Sequence, residues 1–150
     1  MIGDLGQIKN ELNLKLVKAL NRLEYSFVLI QQLDFDDLKS TKDIPEETLT
    51  ILDTFSSRFS RVVDIFLSRY LRILCLIEDP GFNGSFKDIL NYSAKKKWID
   101  DPNFWYTIRS LRNKQAHEYF ENDVIFLVEA MVRDTKKILE IRELINNEIK

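Results

Sequence analysis

Residues 45–77 read PEETLTILDTFSSRFSRVVDIFLSRYLRILCLI, with no glycine anywhere and no proline after the first position. Leu52, Phe55, Phe59, Val62, Phe66, Tyr70, Ile73 and Ile77 recur at intervals of three and four, which sets them on one face of an α-helix. Pro45 suits the first turn, where its missing N–H is not needed, and Glu46 and Glu47 sit favourably beside the positive end of the helix dipole. At 1.5 Å per residue the stretch makes a rod of about 45 Å. A rod with a single apolar stripe has to be covered by other elements of the chain.

Upstream, Leu5, Ile8, Leu12, Leu16, Leu20, Leu23, Phe27 and Ile30 mark a second long helix, from about Leu5 to Leu33. The stretch DFDDLKSTKDIPEE separates the two. Downstream, EDPGFNG ends the rod with turn chemistry. Ser85 and Asp88 resemble a capping box and open a third helix to about Trp98. Asp101 as cap and Pro102 in the first turn open a fourth helix of about 15 residues. After FEND a last amphipathic helix carries Val124, Leu127, Val128, Met131, Ile138 and Ile141. No strand alternation, internal repeat or low-complexity segment interrupts this pattern. The expectation is an all-α, up-and-down bundle of about five helices, two of them long, forming one domain over residues 1–150.

Hydrophobic residues make up 45% of the chain and charged residues 31%, with four glycines and three prolines, a composition that leans helical because turn formers are scarce. A formal charge of −2 gives no global attraction to nucleic acid, so a surface for RNA has to be a local patch. The single cysteine, Cys75, lies in the apolar run LRILCLI and reads as a packing thiol. The first residues, MIGDLGQIKNEL, lack the basic start and apolar run of a signal peptide, and no apolar stretch approaches the ~20 residues that span a bilayer. A cytoplasmic location is therefore expected, with no membrane partner. One histidine, one cysteine and no clustered carboxylates around them argue against a zinc site, and no metal or cofactor is expected.

The only histidine lies in LRNKQAHEYF, residues 111–120. Wound at about 100° per residue, Phe104, Ile108 and Leu111 of the fourth helix fall within about 60° and face the core, with Trp105 at the edge. Asn113 and His117 share the opposite side, and Arg112 lies about 140° from His117. Those two side chains meet in one site only if the helix ends or bends near Ala116, or if the site draws on two chains. Tyr119 stands two turns above Arg112 on a continued helix.

Arg112, four intervening residues, His117, one residue and Tyr119 read R-x4-H-x-Y, with Asn113 following the arginine. Placed late in a short helix of a small helical protein, these residues resemble the motif of the HEPN superfamily. The closer similarity is to HepT-like toxins and to small proteins encoded beside minimal nucleotidyltransferases. The resemblance implies a metal-independent endoribonuclease working as a homodimer whose two motifs face one cleft. It implies His117 as acid or base, Arg112 as phosphate clamp and Asn113 as the residue orienting His117 or the phosphate. A histidine exchanges protons near neutral pH, and a guanidinium holds phosphate oxygens through paired hydrogen bonds. It further implies a cognate nucleotidyltransferase antitoxin that silences the toxin by adenylylating Tyr119, since a bulky negative group there repels RNA.

Other readings stand beside this one. Arg112 reads equally as an ion-pairing residue, His117 as a solvated side chain favoured by the helix dipole, and Tyr119 as a packing residue with a surface hydroxyl. Glu118 opposes phosphate if it faces the cleft. A non-catalytic helical subunit that docks a nucleotidyltransferase is the alternative function. On the long helix, Arg58, Arg61, Arg69 and Arg72 fall within about 80°, either a solvated ion-pairing face or a surface tracking phosphates or a partner. Arg109, one turn before Arg112, is a further candidate contact. Lys95–Trp98 reads as a helix C-terminal charge cluster, and Trp98 and Trp105 as core anchors rather than base-stacking platforms. Phe104, Trp105 and Tyr106 point in different directions, so at least one is expected at the surface.

Overall fold

The computed structural model describes residues 2–115 and 121–149. Among these, every regular element is helical: α1 (Ile2–Ile30), α2 (Phe35–Ser40), α3 (Glu46–Val63), a π-helical stretch (Asp64–Tyr70), α4 (Leu71–Glu78), α5 (Phe86–Lys95), α6 (Pro102–Gln115), α7 (Glu121–Ile138) and α8 (Ile141–Ile149). The expected all-α bundle with two long helical rods is what the chain forms. α1 lies along α3, the π-helical stretch and α4; α6 and α7 pack on each other and on α3, and α5 covers α4. One contiguous core joins them, with Leu16, Leu20, Leu52, Phe55, Phe59, Phe66 and Tyr70 at its centre. No helix among the described residues is long and apolar enough to cross a membrane.

Three features depart from the expected segments. The connector after α1 contains the short helix α2, capped by the Asp34 carboxylate, which accepts from the Asp37 N–H at 3.1 Å. The last segment divides at Leu139–Glu140, and α8 turns back onto α1, where Lys9 reaches Glu148 at 3.2 Å and Arg142 reaches Glu24 at 3.1 Å. The long rod is not α-helical throughout. Between Asp64 and Tyr70 the bonds widen, so that the Leu71 N–H donates to Phe66 O, five residues back.

That wider turn moves the buried face. Leu52, Phe55, Phe59, Val62, Phe66 and Tyr70 are buried as their spacing predicts, but beyond them the buried residues are Leu71, Leu74 and Cys75. Ile73 and Ile77, expected on the core face, are only half-buried. Ile8 of α1, also expected to face inward, is 39% exposed. On α6, Trp105 is buried and Phe104 is at the rim, the reverse of the order expected from projection. The indole fills the space beside Phe66, ring centroids 4.9 Å apart, and Phe104 stands edge-on to it at 5.1 Å. Of the aromatic triple, Tyr106 is the one at the surface. Burial pushes the Cys75 thiol up to about 11, in keeping with a packing role.

The capping box at α5 forms as its residues predict. The Asp88 N–H donates to Ser85 Oγ at 3.3 Å and the Ser85 N–H to Asp88 Oδ2 at 2.9 Å. Hydrogen bonds from the Ser85 backbone and hydroxyl hold the Asp88 carboxyl below its ordinary range. A depressed folded-state pKa stabilises the fold above the unfolded value, and that stabilisation is lost as pH falls through the folded one. Asp88→Ala is therefore expected to melt below wild type at neutral pH, the gap closing as the buffer is acidified below the carboxylate range. Thermal melts across pH check this, and a gap that persists in acid would contradict it.

Lys95–Trp98 does close a helix. Lys97 takes the left-handed conformation (φ 64°), its N–H bonds Ala94 O at 3.0 Å, and the Trp98 N–H bonds Ser93 O at 2.9 Å. Glycine adopts that conformation without the Cβ penalty, so Lys97→Gly is expected to stabilise the protein by about 1 kcal/mol. The check is a melting temperature about 3 °C above wild type.

Candidate functional site

α6 ends beside the start of the π-helical stretch, and the two meet through Arg112 and Asp64. Arg112 follows the buried Leu111, so its side chain runs past the end of the apolar packing and across to the neighbouring rod. Its guanidinium engages the carboxylate side-on, Nε to Oδ1 at 2.7 Å and Nη2 to Oδ2 at 3.0 Å. Hydrogen bonding and attraction from Asp64 raise the Arg112 pKa above its ordinary value, with burial opposing. The Arg112 side chain is 28% exposed and that of Asp64 47%, so the pair adds no more than about 1 kcal/mol to stability. One turn on, the Ser60 hydroxyl donates to Gln115 Oε1 at 3.2 Å and fastens the same two elements again.

These residues line a cleft of about 370 Å³, which Arg61 and Arg69 also border. Three arginines and one aspartate therefore border this cleft, with Arg112 the one paired to the carboxylate, on a protein whose formal charge is negative. The excess positive charge suits an anion, and the planar fork of Arg112 already grips a two-oxygen acid, the geometry that a phosphate would also offer.

The arginine stripe divides. Arg61 and Arg69 reach the cleft, whereas Arg58 turns to α1, donating to Ser26 Oγ at 2.7 Å and Arg22 O at 3.1 Å. Arg72 points to the loop before α5, with Gly84 O at 3.5 Å. The Arg109 guanidinium carbon sits over the Phe86 ring, 3.9 Å from its centroid. Asn113 is exposed and lines a second recess with Arg109, Tyr106 and Lys114, apart from the Arg112 cleft. His117, Glu118 and Tyr119 lie outside the described residues. A separate recess of about 170 Å³, bordered by Phe66, Trp98, Trp105 and Leu144, holds no described motif residue. Among the described residues no three His, Cys, Asp or Glu side chains are grouped as a metal ion would need.

Asp64, Ser60 and Gln115 belong to no motif in the sequence. Asp64 does leave one trace in the sequence: it is the lone acid in FSRVVDIFLSRYL, bracketed by residues that turn out buried. No protein-family model, curated protein or solved structure matches the chain.

Proposed function

We propose that this chain is a HEPN-type, metal-independent endoribonuclease that acts as the toxin of a toxin–nucleotidyltransferase pair. The observation that carries the reading is the cleft at the end of α6, bordered also by Arg61 and Arg69, where Arg112 holds a carboxylate in bidentate geometry, five residues before the only histidine of the chain. In the proposed reaction a general base removes the proton of a ribose 2′-hydroxyl, whose oxygen attacks the adjacent phosphorus. The bond from phosphorus to the 5′-oxygen breaks, and that oxygen takes up a proton, leaving a 2′,3′-cyclic phosphate and a 5′-hydroxyl. His117 carries one of the two protons, and a second protomer facing the same cleft supplies the other group. Arg112, aided by Arg61 and Arg69, holds the non-bridging oxygens as charge builds on them. Asn113 lines the neighbouring recess rather than this cleft and takes no part at the scissile phosphate in this reading, and adenylylation of Tyr119 by the partner nucleotidyltransferase places negative charge where RNA phosphate must enter.

A second reading, a non-catalytic subunit docking a minimal nucleotidyltransferase, is favoured by α1. Its outward face exposes Leu14 at 74%, Tyr25 at 66% and Val28 at 56%, apolar surface that a partner could cover.

The test is digestion of total cellular RNA by purified protein in EDTA, wild type beside Arg112→Ala and His117→Ala, after melting curves and sizing show unchanged fold and assembly. Discrete fragments with 2′,3′-cyclic phosphate ends from wild type alone are expected. Absence of cleavage by all three would discard the nuclease and leave the docking subunit.

A further inference from the structure

We infer that the recess between α5 and α6 is a subsite for an unpaired base of single-stranded RNA. The inference rests on the ribonuclease reading and extends it from the scissile phosphate to a neighbouring nucleotide.

The recess, about 460 Å³, is lined by Phe86, Tyr106, Arg109, Ser110, Asn113 and Lys114. Phe86 is the first residue of α5 and lies inside the capping box, so its backbone is fixed by the Ser85–Asp88 pairing. Its ring meets Tyr106 edge-on, centroids 5.7 Å apart and planes at 86°. The Arg109 guanidinium carbon sits over the Phe86 ring at 3.9 Å, a cation–π contact that anchors the side chain at the recess. Arg109 is itself exposed, so its cation remains open to a ligand at the recess. A planar guanidinium anchored beside an aromatic ring is a group on which nucleobases stack, and the partly exposed Tyr106 adds an aromatic wall.

The polar groups select the occupant further. Asn113, exposed at the rim, offers a donor and an acceptor to a base edge, and Lys114 offers a positive charge to the backbone. No described carboxylate lines the recess, although the protein as a whole is acidic. An acidic peptide would satisfy the cations but would leave the stacked surface without a flat partner. A duplex would keep its base faces stacked inside the helix, out of reach of the guanidinium. A single strand brings both features together.

Position supports the same assignment. Arg109 and Arg112 are three residues apart on α6, about 4.5 Å along its axis. Arg109 and Asn113 face the recess and Arg112 and Gln115 face the cleft, so one strand crossing the end of α6 meets both.

The experiment is fluorescence anisotropy with a labelled 2′-O-methyl oligoadenylate, whose blocked hydroxyl prevents cleavage, against an abasic strand with the same number of phosphates. Wild type is expected to bind the base-bearing strand about tenfold more tightly than the abasic one. Arg109→Lys, which keeps the charge and loses the plane, and Tyr106→Ala are expected to shrink that ratio toward one, with the salt dependence close to wild type. Arg112→Ala is expected to weaken both strands and leave the ratio unchanged. Equal binding of the two strands by wild type, or an unchanged ratio in Arg109→Lys, would overturn the subsite while RNA cleavage in EDTA stands. Binding of neither strand, together with no cleavage, would overturn the subsite and the ribonuclease reading alike.

Discussion

Phe66→Ala is expected to destabilise the protein by about 3–5 kcal/mol, several times the effect of removing the Arg112–Asp64 ion pair. Phe66 is 1% exposed and lies inside the π-helical stretch, with Tyr70 at 6.3 Å on one side and Trp105 at 4.9 Å on the other. Truncation leaves a void between the long rod and α6, at a point where an already widened turn leaves little freedom to close it. For a chain of this length the melting temperature should fall by about 10 °C. The substitution also acts on the candidate site, because Phe66 and Trp105 set the spacing between the elements that carry Asp64 and Arg112. Arg112→Ala on the same instrument should move the melting temperature by no more than a few degrees, since the ion pair is half-solvated. A Phe66→Ala protein that melts within about 2–3 °C of wild type would show that the core relaxes around this ring.

Arg112→Ala is expected to lower the rate of RNA cleavage by about 10²–10³-fold, the magnitude seen when one donor to a developing oxyanion is removed. Arg112→Lys should recover only part of the loss, because an ammonium supplies the charge without the two-point fork. The ion pair allows a sharper separation. Asp64→Asn removes the same salt bridge from the other side. If Arg112 serves only to fasten α6 to the rod, the two variants should behave alike in stability and in cleavage. If it clamps phosphate, Asp64→Asn leaves the guanidinium in place and cleavage persists, with a steeper loss of RNA affinity as salt is raised. Parallel loss of activity in both variants would remove the clamp from the mechanism.

Much of the architecture was legible in the spacing of apolar residues, and for a physical reason. Helical propensity and the burial of one stripe are local properties, so Leu12, Leu16, Leu20 and Leu23 announce α1, and Ser85 with Asp88 announces the start of α5. The π-helical stretch was not legible. Residues 64–70, DIFLSRY, would sit equally well in an α-helix, and no local signal in them marks the wider turn, against which Trp105 packs at Phe66. The exchange of Phe104 and Trp105 has the same origin, since an edge residue on an ideal projection becomes a core residue when its neighbour leaves room for an indole. The turn at Leu139–Glu140 carries neither glycine nor proline, so no local signal marks it. At the site, Arg112 stood out because it belongs to a short motif, whereas Asp64 lies 48 positions away and only tertiary packing brings the two together. The arginine stripe was visible as a stripe, but the partners that divide it, Ser26, Gly84 and the cleft, are contributed by other elements.

The five-residue bond from Leu71 to Phe66 has a consequence for how the chain tolerates changes of length. A turn of this kind stores one surplus residue relative to an α-turn. Deletion of a single position within 64–70 lets an ordinary α-turn replace it, and Leu71, Leu74 and Cys75 keep their direction relative to α3. The same deletion within α3 re-phases everything that follows by about 100° and turns its apolar stripe toward water. Asp64 itself keeps its α-helical bond to Ser60 O, so a shortening after it leaves its direction set by α3.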